Sequence, residues 1–309
     1  MPPHPQARRW LDEVADAPTW TRVGHPDLDL PRLRAQLRAL VPPAPPGSLA
    51  SEPVTVGGIP CLLQRPRPGA PLFVLLHGGG WALGSAAEMQ PWGRAIAQAT
   101  GAAVLSVDYR LAPEHPFPAG LENVETVLAA LPQAADELAV DAGRLVVGGD
   151  SAGGNLAAAA AQRRRDRRAP PWATTVLLYP ALDLAGRHPS RAEFSDGFGM
   201  QDEAMAWHEA AYVPVAADRE RPDVSPLLAG DLRGLPPTLV VTAGYDPLRD
   251  EGEAYAARLA DAGVLTACTR YVDMVHGFAD LTRFDAAHAL VGQVAGWLGR
   301  TVPGVPAAG

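Results

Sequence analysis

Gly149-Asp150-Ser151-Ala152-Gly153 follows directly on the apolar run Leu145-Val146-Val147 and directly precedes the helix-forming run from Leu156 to Ala161. A G-x-S-x-G pentapeptide between a strand and a helix takes the chain through so sharp a turn that its serine adopts a strained backbone conformation. The small residues on either side admit that turn without clashes. The turn lifts the Ser151 hydroxyl above the sheet edge, where the N-terminus of the following helix aims positive dipole at any negative charge that forms. Ser151 is therefore the candidate nucleophile. The motif alone is only suggestive: 31 of the 309 residues are glycine, and a chain of this makeup carries G-x-S-x-G by chance roughly one time in twelve.

The organisation around it is that of an α/β protein. Residues 54–56 and 59–64 flank Gly57-Gly58 and read as a hairpin. Apolar strands are expected at 72–76, 102–107, 145–148, 174–179, 238–243 and 266–271. Most are apolar throughout, the mark of parallel strands covered on both faces. Helices fit between them at 87–100, 121–131, 154–168 and 252–262, with a last one at 284–298. Ahead of the hairpin, residues 6–17 and 31–41 suggest two short helices, joined to the rest by the stiff linker Pro42-Pro43-Ala44-Pro45-Pro46-Gly47. We divide the chain into residues 1–46, the N-terminal helices with their linker, and a main body of residues 47–309. Residues 183–232 are too long for a simple crossover and form an insertion with a helical stretch near 202–212, placed like a lid or pocket wall.

A second motif, His77-Gly78-Gly79-Gly80-Trp81, follows the strand at 72–76. By the same arithmetic H-G-G-G arises by chance in roughly one such chain in a hundred. Without Cβ atoms, consecutive glycines turn their N–H groups toward one point and can cradle an oxyanion. A serine hydroxyl also needs a base to take its proton. Of the eight histidines, His276 lies in a loop just after the last strand, at the carboxyl edge of the sheet. His288 sits near the apolar stripe Phe284, Val291, Ala295 and Leu298 and reads as a packed or boundary residue. His77 orders the glycine loop, and His115 lies in a proline-rich turn. The orienting acid is Asp246, at the end of the strand 238–243; Asp250, at the opening of the next helix, reads as that helix's cap. The chain order Ser151, Asp246, His276 is that of an α/β-hydrolase.

With these residues in place the chain resembles the hormone-sensitive-lipase-like family of α/β-hydrolase carboxylesterases. The likeness also rests on Asp108-Tyr109-Arg110-Leu111-Ala112-Pro113-Glu114, Gly154-Asn155 and His276-Gly277-Phe278, and extends from about residue 45 to the C-terminal helix. It implies an eight-stranded, mostly parallel sheet with helices on both faces. It also implies a small helical cap over the acyl pocket, built from the N-terminal helices and the insertion. Ser151, Asp246 and His276 would be the catalytic residues, Gly78, Gly79 and Ala152 the oxyanion donors, and Asp108–Glu114 a bracing loop rather than a paired-carboxylate site. Trp10, Trp20, Trp81, Phe198, Trp207, Tyr212 and Phe278 are candidates for the substrate pocket.

Composition excludes other classes. The formal charge of −8 argues against nucleic acid or an anionic membrane as partner. The run Arg163-Arg164-Arg165 with Arg167-Arg168 falls at a helix end, where cations complement the dipole. Cys61 and Cys268 give neither metal spacing nor a disulfide framework and read as two buried thiols. There is no secretory leader and no stretch of 18 apolar residues, so the expectation is a soluble, cytoplasmic protein. The expected activity is hydrolysis of short- to medium-chain carboxylic esters, with no cofactor and no metal and a small-molecule ester as partner. Amidase, peptidase or lactonase chemistry, a non-catalytic receptor, and assembly into a homodimer are left open.

Overall fold

The computed structural model describes residues 2–15 and 28–306, so Trp20 lies outside the described residues. The strands are β1 (Glu52–Val56), β2 (Ile59–Gln64), β3 (Ala70–Leu76), β4 (Ala103–Val107), β5 (Val140–Asp150), β6 (Thr174–Leu178), β7 (Thr238–Tyr245) and β8 (Thr266–Val275). The helices are α1 (Pro5–Ala15), α2 (Leu30–Ala39), α3 (Gln90–Thr100), α4 (Ala119–Ala134), α5 (Ala152–Asp166), α6 (Pro189–Phe194), α7 (Asp202–Tyr212), α8 (Arg249–Asp261) and α9 (Asp285–Thr301). One eight-stranded sheet runs in the order β1-β2-β4-β3-β5-β6-β7-β8. Strand β2 is antiparallel to both its neighbours, and from β4 onward all pairings are parallel. This is the α/β-hydrolase fold. Gly57 and Gly58, both at positive φ (59° and 81°), make the two-residue turn of the β1–β2 hairpin.

The period of two along each strand divides the apolar runs between two cores. In β3, Leu72, Val74 and Leu76 join Val127 of α4, Leu156 of α5 and Tyr255 of α8 on one face. Phe73 and Leu75 join Ile96 of α3 and Leu290 and Val294 of α9 on the other. Strands so placed need apolar residues at every position, which is why they carry no polar alternation. Strand β8, like β1 at the opposite edge, is an exception. It is the last strand in the sheet order, alternates in burial along its length, and leaves Cys268 exposed. The expectation of two buried thiols therefore holds for Cys61 alone, whose pKa burial pushes up to about 12.

The arginines closing α5 are largely spoken for. Arg163 pairs with Glu125 (2.9 Å) and Asp223 (2.7 Å), Arg165 with Asp166 (2.7 Å), and Arg167 with Glu125 (2.7 Å). Within the insertion, α6 and α7 are tied together by Arg191, which bonds Asp202 at 2.7 Å and also Glu209. The insertion is fastened to the body by α5: Asn155 Nδ2 donates to Val224 O (2.8 Å), and Gln162 Nε2 to Pro226 O (2.8 Å).

Candidate active site

Strand β5 ends at residue 150 and α5 begins at 152, so Ser151 makes the whole turn. It does so at φ 52° and ψ −117°, a conformation that costs a residue bearing a β-carbon on the order of 1–3 kcal/mol. The turn is forced by backbone packed on backbone. A Cβ on Gly149 would lie 2.3 Å from Leu76 O, and one on Gly153 only 2.0 Å from the same atom.

Two elements bring partners to Ser151. His276 is the first residue after β8, and its Nε2 lies 3.0 Å from Ser151 Oγ. Asp246 is the first residue after β7 and is wholly buried; its Oδ2 lies 2.8 Å from His276 Nδ1, while its Oδ1 accepts the N–H of Leu248 at 2.8 Å. A carboxylate only accepts, so Nδ1 carries the proton and the Nε2 lone pair faces the serine hydroxyl. Burial alone would lower the imidazole pKa, but the Asp246 carboxylate outweighs it, aided by Asp150, and raises it above the ordinary value. Tyr179 packs edge-on behind the ring (4.9 Å between centroids, 63°).

The glycine loop faces Ser151 with each carbonyl anchored. His77 O accepts from Tyr109 Oη at 2.6 Å, and Gly78 O from His77 Nδ1 at 2.8 Å. Gly79 O accepts from the N–H groups of Ala82 (3.2 Å) and Leu83 (2.8 Å), and Gly80 O from His208 Nδ1 (3.1 Å). Because a peptide unit is planar and trans, fixing a carbonyl aims the N–H that follows the opposite way. This corrects one expected donor. The N–H of Gly78 is committed to Asp150 Oδ1 at 2.7 Å, so Gly78 is not available to an oxyanion. The N–H groups of Gly79, Gly80 and Ala152 have no partner among the described residues. Desolvation pushes the Asp150 carboxyl up to about 6 against the pull of Gly78 and His276.

A family model described as alpha/beta hydrolase fold matches residues 73–280, about two thirds of the chain. The chain belongs to the hormone-sensitive-lipase-like family of α/β-hydrolase carboxylesterases. It is 40% identical over 259 residues to the carboxylesterase NlhH of Mycobacterium tuberculosis, covering 80% of this chain and 81% of that one. It is 38% identical over 277 residues to the carboxylic ester hydrolase LipN of the same organism, covering 85% of this chain and 74% of that one. Among solved structures, a hyperthermophilic esterase from Pyrobaculum calidifontis superposes with a TM-score of 0.84 at 37% identity, covering 95% of this chain and 97% of that one.

Within this hydrolase the other singled-out residues sort as follows. Asp108–Glu114 braces the glycine loop: Asp108 Oδ1 accepts from Ala86 N (2.7 Å) and Ala112 N donates to Trp81 O (2.9 Å). Arg34 of α2 clasps the same loops, donating to Ala82 O, Ala112 O and both oxygens of Glu114, all at 2.8 Å. Asp250 does not cap its own helix. Its Oδ2 accepts from Ser190 N at 2.8 Å and so caps α6 of the insertion. His288 is exposed rather than packed, with Nε2 3.2 Å from Leu281 O, and burial lowers the pKa of His77 to about 4.

Trp81 (φ 59°) and Tyr212 stack face to face at 4.4 Å and are almost fully buried. Phe278 is wholly buried against Tyr271 and against Tyr179, which itself packs on His276, leaving it no surface to line a pocket. Half-buried Phe198 stacks on Tyr245 (5.2 Å), and Trp10 meets Phe284 edge-on (6.2 Å). Trp207 packs with Leu30, Leu33 and Leu83. Sequence reasoning gave no role to Asp150, although it stands inside the serine motif. It missed Tyr179, Arg34 and His208, whose partners are distant in the chain; no local signal marks them. Among the described residues no cluster of three or more His, Cys, Asp or Glu could hold a metal ion, and no helix is long and apolar enough to cross a membrane.

Proposed function

We propose that this protein is a serine carboxylesterase in which Ser151, His276 and Asp246 are the catalytic residues. The observation that carries the reading is the in-line pair of hydrogen bonds, Ser151 Oγ to His276 Nε2 at 3.0 Å and His276 Nδ1 to Asp246 Oδ2 at 2.8 Å, beside unpartnered backbone donors. Ser151 Oγ attacks the ester carbonyl as its proton passes to His276 Nε2, and Asp246 stabilises the imidazolium. The carbonyl oxygen takes up the negative charge toward the N–H groups of Gly79, Gly80 and Ala152. Collapse breaks the C–O bond to the alcohol, which leaves with the proton from His276. Water, deprotonated by the same imidazole, then releases the acid from the acyl-enzyme and restores Ser151. The chain's own residues suffice for these steps.

Residues 1–46 and 183–232 act in this reading as the substrate-side cover. Its support is that α2 reaches the glycine loop through Arg34, and α7 through His208. Short- to medium-chain acyl groups are the proposed substrates. A panel of p-nitrophenyl esters from acetyl to palmitoyl, with an anilide as control, tests the assignment together with organophosphonate labelling. Turnover peaking at short to medium chains, with label on Ser151 alone, is the expected result. An inert wild-type protein, or label elsewhere with activity intact, overturns it. The free-enzyme kcat/KM should rise with pH, since only neutral imidazole accepts the proton, and the acid limb should lie above the ordinary histidine value of about 6.5 because Asp246 raises it. Asp150 titrates nearby, so that limb belongs to the interacting pair.

A further inference from the structure

Three of the four anchored carbonyls in the glycine loop are held from within the main body. The fourth, Gly80 O, is held by His208 Nδ1, 128 residues along the chain on helix α7 of the insertion. A carbonyl only accepts, so this ring carries its proton on Nδ1. Burial pushes the His208 pKa down to about 4 against that bond, which keeps the ring neutral. The imidazole stands where a side chain at residue 80 would go: a Cβ on Gly80 would lie 2.4 Å from His208 Nδ1. Trp207 packs edge-on against the ring (5.1 Å, 79°) and in turn sits against Leu30 and Leu33 of α2.

The plane held by this bond is a stressed one. It joins Gly80, at φ 58°, to Trp81, a residue with a β-carbon held at φ 59°. Relief of the strain at Trp81 would rotate the Gly80–Trp81 peptide. That peptide lies inside the turn that Ala82 and Leu83 close on Gly79 O, so its rotation would drag the Gly79 carbonyl and, across the same planar unit, the N–H of Gly80. Glycine supplies no resistance of its own to such motion.

We infer that His208 is a positioning residue for the oxyanion donors, through which the insertion sets transition-state stabilisation and does not serve only as a wall of the pocket. The inference rests on the esterase reading. It is tested by steady-state kinetics of His208→Phe, which keeps a ring without the donor, and His208→Asn, whose side-chain N–H reaches about where Nδ1 does. With p-nitrophenyl butyrate, His208→Phe should lower kcat at least about tenfold, less than the loss of a whole oxyanion donor. KM should stay within about twofold, and His208→Asn should keep most of kcat. Affinity for a trifluoromethyl ketone, which forms a tetrahedral oxyanion on the serine, should fall in proportion to kcat/KM. Unchanged kcat in His208→Phe, a loss confined to KM, equal losses in both variants, or ketone affinity unmoved while kcat falls would each overturn it. If His208→Phe does not fold, as judged by thermal melting, His208→Ala is read by the same outcomes. Ser151→Ala separates the two readings: an active wild type with an inert Ser151→Ala upholds the esterase whatever happens at residue 208, and an inert wild type overturns both.

Discussion

The two sides that meet at Ser151 are built from opposite materials. On the sheet side the chain packs backbone against backbone. Gly149 and Gly153 press on Leu76 O, Gly148 faces Val176 O with room for nothing larger, and β5 is paired in parallel with β3 and β6 on either side. On the insertion side the work is done by polar side chains whose partners lie 18 to 128 residues away: Arg191 to Glu209, Arg163 to Asp223, Asn155 to Val224, His208 to Gly80. The first kind of construction fixes atoms to a fraction of an ångström and tolerates almost no change. The second sets a seat that several side chains share, so that a single substitution loosens it without collapsing it. The two kinds of construction meet at the glycine loop, where anchors from the main body hold three carbonyls and His208 of the insertion holds the fourth.

The largest expected effect belongs to the rigid side. Asp246→Asn should lower kcat on the order of 10⁴-fold, because the amide can donate to Nδ1 and favours the wrong imidazole tautomer. The fold should survive, since the substitution is isosteric and Leu248 N keeps an acceptor. Circular dichroism alongside kinetics checks both halves; a variant that keeps a tenth or more of wild-type turnover would remove Asp246 from the role of orienting acid. Gly153→Ala comes next. Its methyl would stand 2.0 Å from Leu76 O, with only backbone to yield, so a loss of about 3 kcal/mol or more is expected in urea unfolding. A stable Gly153→Ala protein would show that this side gives more readily than its contacts imply.

This contrast also explains what the sequence discloses. The serine motif, the glycine run and the residues at the ends of β7 and β8 are local patterns, each written within a few residues; most central strands follow from apolar runs, and the β1–β2 hairpin from its Gly57-Gly58 turn. His276 and Asp246 stand beside Ser151 because the ends of β8 and β7 lead to one edge of the sheet. The misreadings have another origin. Gly78 looked like a donor because glycine in a loop reads the same whether its N–H is free or taken, and the atom that takes it, Asp150 Oδ1, is 72 residues away. Phe278 looked like a pocket wall because aromatic character does not say which face of a loop is turned inward. Cys268 was expected to be buried because a strand's place at the sheet edge is a property of topology, not of its own residues. The insertion is least legible of all, since its organising bonds are long-range and made by residues that are common on surfaces.

A smaller effect is expected where the insertion is held by charge. Arg191 and Glu209 are each 8% exposed at the side chain, and Glu209 also meets Arg219 at 3.4 Å. Glu209→Gln keeps the shape and removes the charge, and should cost about 2 kcal/mol, the scale of a hydrogen bond to an ionised partner. The loss should be local, so limited proteolysis should cut first within residues 183–232 while the sheet stays intact. Cleavage appearing first elsewhere would mean that the insertion is not the separately yielding part.

The smallest effect lies at the seam between the two sides. Asp250 bonds Ser190 N at 2.8 Å, Ser190 Oγ donates to Pro247 O at 2.8 Å, and Arg249 bonds Asp250 at 2.8 Å, so the start of α8 and the start of α6 brace each other. Asp250→Asn can keep an acceptor for Ser190 N but loses the charge and the bond from Arg249 Nε; at this partly exposed site it should cost about 1 kcal/mol or less, with kcat within about twofold of wild type. Although partial burial acts to raise it, the carboxyl is held below the usual range by Arg249 and the Ser190 contacts. A depressed folded value stabilises the protein above the unfolded value of about 3.9 and loses that contribution as pH falls through the folded one. The small gap in stability between wild type and Asp250→Asn should therefore be full near neutrality and close in acid. Asp246 and Asp250 are four residues apart and chemically identical; one touches an imidazole and the other a helix end. A severe catalytic defect in Asp250→Asn, with Asp246→Asn mild, would exchange their roles and place the orienting acid on the seam.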